Sequence, residues 1–163
     1  MHQNTVIPDN KEEAYQLLVM QVDALLQDED DVIANLANVA ALLYEYVKDI
    51  NWVGFYLIKK DQLIVGPFQG KVACSRIKLY DGVCGKAVLD RSILNVSNVH
   101  AFEGHIACDS ASNSELVVPI FINDKIVGVL DIDSPSYSRF DQTDEKYMQM
   151  IVSLLAKKLP DTF

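Results

Sequence analysis

Apolar residues recur every three to four positions toward both ends of the chain and alternate with polar ones in its middle, a pattern that predicts helices flanking a sheet. Over residues 11–27 the apolar stripe is Ala14, Leu17, Leu18, Val22, Leu25 and Leu26, and Asp9 or Asn10 stands where a helix cap is needed. The acidic run Asp28-Glu29-Asp30-Asp31 separates this helix from a second, over residues 31–47, with Ile33, Leu36, Val39, Ala40, Leu43 and Val47 on one side. From Asn51 the period is that of strands. Residues 51–58 are aromatic and β-branched, and Lys59-Lys60-Asp61 turns them back into residues 63–66, a hairpin expected at one edge of the sheet. A short helix over 85–91, a short strand over 93–96 and a long polar loop over 97–112 follow. Residues 115–122 and 125–132 form two more strands around Asn123-Asp124, which tolerate the positive φ of a tight hairpin turn. Asp141 caps a last helix to about residue 158, with Tyr147, Met150, Ile151, Leu154 and Leu155 inward.

Antiparallel hairpins with helices gathered at the chain ends imply an α+β fold, the terminal helices on one sheet face and the loops over the other. Such an arrangement leaves a pocket under the loops. The chain has 163 residues, half of them hydrophobic, and no repeat or linker divides it, so one domain over 1–163 with an ordered core at about 11–159 is expected. Fourteen Lys and Arg stand against 23 Asp and Glu, and the net charge of −9 disfavours nucleic acid and anionic membrane surfaces as partners. The N-terminal residues lack a basic region followed by an apolar run, and no segment is long and apolar enough to span a bilayer, so a cytoplasmic location is expected. Three cysteines cannot make a fully paired secreted framework, and a reducing compartment would leave them as thiols.

The chemistry-bearing side chains concentrate between Cys74 and Asp133. Asp131 and Asp133 are two apart on a strand and share a face that is otherwise apolar. A buried carboxylate needs a compensating cation, and Arg139 is the nearest candidate in sequence. A ligand ammonium could fill that role; alternatively, both acids reach water at a strand end. Glu115 opens the facing strand and could join them, or stand exposed. The cysteines carry three readings: inert buried thiols, a zinc site of Cys74, Cys84, Cys108 and His105 that lacks any CxxC pair, or reactive thiols. For the third, Cys84 lies in Asp81-Gly82-Val83-Cys84-Gly85-Lys86 where a helix begins, and Cys108 follows Gly104-His105 in a polar loop. A helix N-terminus or a neighbouring Lys lowers a thiol pKa. His105 could assist a thiolate or be a surface residue, and His100 is a weaker candidate. Trp52 and Tyr56 share a strand face and could wall a pocket or simply fill the core.

From Ala14 to Lys158 the sequence resembles the free methionine-(R)-sulfoxide reductases, which are single GAF domains. The resemblance lies in Asn51-Trp52-Val53-Gly54-Phe55-Tyr56, Gly66-Pro67-Phe68-Gln69-Gly70, Gly82-Val83-Cys84-Gly85, the Cys108 loop, Ser114-Glu115-Leu116-Val117-Val118-Pro119 and Val129-Leu130-Asp131-Ile132-Asp133-Ser134. It implies a GAF fold and an enzyme that reduces free L-methionine-R-sulfoxide. Carried over, Cys108 is the attacking thiol, Cys84 resolves it, and Cys74 exchanges with or recycles that pair; which of Cys84 and Cys108 attacks first stays open. Glu115, Asp131 and Asp133 hold the amino group and polar end of the substrate, and Trp52 and Tyr56 flank its methyl side. No metal or cofactor is implied beyond an external dithiol, by resemblance thioredoxin. The 97–112 loop is expected to close over substrate and shift on oxidation. A homodimer through the two N-terminal helices is a further expectation. The alternative is a non-catalytic GAF module sensing a nucleotide or metabolite.

Overall fold

The computed structural model describes residues 5–163. Two helices open it, α1 (Lys11–Gln27) and α2 (Val32–Tyr46), capped by the side chains of Asn10 and Asp31. The strands β1 (Trp52–Lys59), β2 (Gln62–Gly70) and β3 (Arg76–Lys78) follow, then α3 (Gly82–Asp90) and β4 (Leu94–Val96). A single 3-10 turn at Val99–Ala101 punctuates the polar loop before β5 (Ser114–Ile122), β6 (Lys125–Ser134) and α4 (Gln142–Ala156). All strand pairs are antiparallel, in the order β3-β2-β1-β6-β5-β4.

The expected hairpin is present but does not form an edge. β1 lies at the centre, paired with β6 as well as β2, and the edge beside it is β3. Only three residues long, β3 carries too little alternation to announce itself. β2 also continues past Gly66 through Pro67, because a register shift opposite Gly54 to Tyr56 accommodates a residue that cannot donate to the ladder. Asn123 and Asp124 have the left-handed conformation expected of them, at φ 48° and 64°, and Lys60 and Asp61 in the first turn adopt it too, at 48° and 61°.

The two sheet faces differ in chemistry. One carries Val53, Phe55, Leu116, Val118, Leu130 and Ile132 and is covered by α1, α2 and α4. Its helices are fastened by Asp144, only 1% exposed, which accepts from Lys11, Arg139, the Tyr15 hydroxyl and the Asp141 backbone N–H. Arg139, the cation considered for the strand acids, is therefore committed elsewhere. The other face carries Trp52, Tyr56, Val117 and Val129 and is covered by α3 and the loops. Gly54 on β1 is required there: a Cβ would lie 2.3 Å from Cβ of Phe68, whose ring stacks on Trp52 at 5.2 Å. Gly54→Ala is expected to destabilise the protein by about 1–3 kcal/mol, read as a lower Tm, since neither ring can retreat without unpacking the other.

Candidate active site

The register of the central strands gathers three carboxyl groups. Glu115 on β5 pairs with Asp133 on β6, Asp133 also faces Trp52 across β1, and Asp131 follows two residues before it on the same face. Cys84, in the first turn of α3, is laid on this wall with its Sγ 3.9 Å from Oε1 of Glu115. Trp52 and Tyr56 stack at 5.8 Å along the floor and tie down the chain opposite: Trp52 Nε1 donates to the carbonyl of Lys71, and the Tyr56 hydroxyl to that of Cys74. His105, Ile106 and Cys108 from the polar loop close the pocket. The pocket is partly open to solvent, and its cavity volume is about 40 Å³, space for roughly three waters.

Cys74 and Cys108 are joined by a disulfide, their Cα atoms 5.6 Å apart. The bond present is not the expected one between Cys84 and Cys108: Cys84 is a free, buried thiol, and Cys74, expected to exchange with that pair, is the partner of Cys108. The surroundings of Cys84 also oppose thiolate formation. A helix N-terminus and Lys86 would lower its pKa, but burial, followed by the charges of Asp131 and Glu115, pushes it well up. Lys86 instead pairs with Asp90 at 2.9 Å. The disulfide likewise removes Cys74 and Cys108 from any four-ligand zinc set with Cys84 and His105.

Burial dominates the acids. It pushes Asp131 up to about 6, and it raises Glu115 and Asp133 well above the carboxylate range with help from the Asp131 charge. Asp131 Oδ1 is buried without a protein partner. His105 Nε2 stands 3.8 Å from Oε2 of Glu115, and burial lowers its pKa. His100 is outside the pocket lining, bonded to Asn113. Among the polar lining residues, sequence reasoning missed Asp109 and Ser112, which accept from Asn51 Nδ2 at 3.1 Å each. The one signal for them was position, immediately after Cys108 in the same polar loop.

The arrangement combines a disulfide whose Cys108 lines the pocket, an apolar aromatic floor and a wall of acids that meets no Lys or Arg among the described residues. The family model described as GAF domain matches residues 12–159. A protein of Escherichia coli named free methionine-R-sulfoxide reductase is 50% identical over 94% of this chain and 93% of its own. The chain belongs to the free methionine-R-sulfoxide reductases of the GAF domain family. A Bacillus subtilis protein named YtsP is 52% identical over 92% of this chain and 93% of its own. The Neisseria meningitidis free methionine-R-sulfoxide reductase, solved in complex with its substrate, is 41% identical and superimposes with a TM-score of 0.93, covering 97% of this chain and 95% of that one. For this member of the family the α+β GAF fold expected from the sequence is therefore the fold observed. No helix among the described residues is long and apolar enough to cross a membrane.

Proposed function

We propose that this chain reduces free L-methionine-R-sulfoxide to L-methionine, with Cys108 as nucleophile and Cys74 as the thiol that resolves it. The observation that carries this reading is the Cys74–Cys108 disulfide at the rim of a pocket whose far wall is Glu115, Asp131 and Asp133. The substrate ammonium supplies the cation that the wall lacks, against Asp131 and Asp133, while Trp52 and Tyr56 receive the apolar methyl side. Glu115, whose pKa is raised by burial and by the neighbouring Asp131 and Asp133, donates a proton to the sulfoxide oxygen.

The Cys108 thiolate adds to the electrophilic sulfur, the S–O bond breaks, and the oxygen leaves on the enzyme as a sulfenic acid. The substrate sulfur gains two electrons and Cys108 loses two. The Cys74 thiolate then attacks Cys108 and expels water, forming the disulfide. An external dithiol, thioredoxin in this proposal, restores both thiols by exchange. Cys84, buried between two acids, takes the role of a wall residue rather than that of the resolving thiol assigned from the resemblance. A homodimer through the N-terminal helices belongs to the same proposal, since Met20 and Ile33 leave apolar surface uncovered there.

Selectivity for a free amino acid follows from the acids, because in a peptide the amino group is an amide without charge. With thioredoxin or a small dithiol as reductant, turnover is expected on free L-methionine-R-sulfoxide and at background on the S epimer and on a peptide-bound sulfoxide. Equal rates on the free and peptide-bound substrates would remove this reading. The alternative, a sensory module for a nucleotide, meets an acidic wall that repels phosphate.

A further inference from the structure

We propose that Cys84, Glu115 and Asp131, with His105 as the fourth ligand, form a binding site for Zn²⁺ inside the pocket, so that zinc and substrate exclude one another. The exclusion rests on the function proposed above; the site itself does not.

Three observations point to an ion. Cys84 Sγ and one carboxylate oxygen each from Glu115 and Asp131 lie within 4.8 Å of one another, and all three side chains are buried. Asp131, only 6% exposed, aims an oxygen into the pocket that no protein donor meets. His105 stands beside this cluster rather than within it, its Nε2 3.8 Å from Glu115 Oε2, where a turn of the ring would let it serve as the fourth ligand.

The donor types select the metal. Thiolate, imidazole and carboxylate together favour Zn²⁺ over Mg²⁺ and Ca²⁺, which take oxygen alone. Tetrahedral Zn²⁺ bonds of about 2.0–2.3 Å place the donors roughly 3.3–3.8 Å apart, so modest side-chain rotations bring the cluster to that spacing. On binding, a zinc–sulfur bond replaces the Cys84 S–H bond, a zinc–oxygen bond replaces the O–H bond of Glu115, and both protons go to solvent. No electron is transferred. Since the disulfide takes only Cys74 and Cys108, Cys84 is available as a ligand in the oxidised protein too.

The test uses the full chain with its disulfide formed, so that Cys84 is the sole thiol, and Co²⁺ as a spectroscopic stand-in for Zn²⁺. One Co²⁺ per chain with a thiolate-to-cobalt charge-transfer band is expected. Cys84→Ser should abolish the band while leaving the circular dichroism unchanged. Asp131→Asn and His105→Ala should each weaken Zn²⁺, measured against a chromophoric chelator, by more than about tenfold. Binding without the band, or binding unchanged in Cys84→Ser and Asp131→Asn, would overturn the proposal. In turnover, Zn²⁺ should raise KM for the sulfoxide at constant kcat. A protein that gives the cobalt band and reduces no sulfoxide would leave the metal site standing and remove the proposed reaction instead.

Discussion

Cys108→Ser is expected to lose turnover by on the order of 10³-fold or more, the scale of removing a nucleophile whose step nothing else in the site can perform. The replacement is nearly isosteric, but a hydroxyl is not ionised at neutral pH and adds poorly to sulfur. Cys74→Ser should behave differently. It keeps the attacking thiol, so each chain should release one methionine and stop at a Cys108 sulfenic acid that can be trapped with a sulfenic-acid-specific reagent, with thioredoxin-supported cycling falling by about tenfold or more. Cys84→Ser should still form the Cys74–Cys108 disulfide, because its side chain faces Glu115 rather than the rim. A single turnover in Cys84→Ser together with full cycling in Cys74→Ser would reverse the two roles and restore the pairing suggested by the resemblance. The measurements are a single-turnover methionine yield and a thiol count after reaction, and neither depends on the choice of reductant.

The elements with a full repeat of pattern were legible, and those fixed by contacts across the fold were not. α1 begins and ends at the residues its stripe and cap predict, and Asn123-Asp124 turns the second hairpin as its residue types require. The sheet order was out of reach, since a strand's alternation specifies which face is buried and not which neighbour it takes. α3 starts three residues earlier than its periodicity indicates, at Gly82, and Asp81 makes no side-chain cap there. Gly85 lets the backbone of Tyr80 approach to where a Cβ would sit, 2.6 Å away, and this packing seats Cys84 against the acids. Nothing in Gly82-Val83-Cys84-Gly85-Lys86 separates that outcome from an exposed helix start with an activated thiol. The acids were more readable. Two Asp residues on one apolar strand face, with Glu115 on the facing strand, already posed the question of a missing cation. The register placed all three on the same wall.

Replacing those acids should cost activity and increase stability, and the two effects have one origin. Glu115→Gln removes the proton donor and should lower kcat by about 10²–10⁴-fold, while Asp131→Asn removes a charge facing the ammonium and should raise KM. In the empty protein, however, each acid is a burden at neutral pH. Burial pushes Asp131 from 3.8 to about 6, so between those values the folded state holds a proton that the unfolded chain has released, and above them it carries a buried charge. A raised carboxyl contributes its stability fully only below the unfolded pKa and loses it as pH climbs through the folded value, here between roughly 4 and 6. Above that window the acid destabilises by on the order of 2–3 kcal/mol, at about 1.4 kcal/mol per unit. Asp131→Asn should therefore raise Tm at pH 7 by roughly 5–10 °C, and the gain should vanish near pH 3. A variant less stable than the parent at pH 7 would show that the acid is compensated within the protein itself. Added methionine should narrow the difference, because its ammonium supplies the wild type with a charge balance that the neutral amide of the variant does not need. The activity limb near pH 6 should disappear in the same variant, which ties the carboxyl that weakens the empty fold to the one that recognises the ligand.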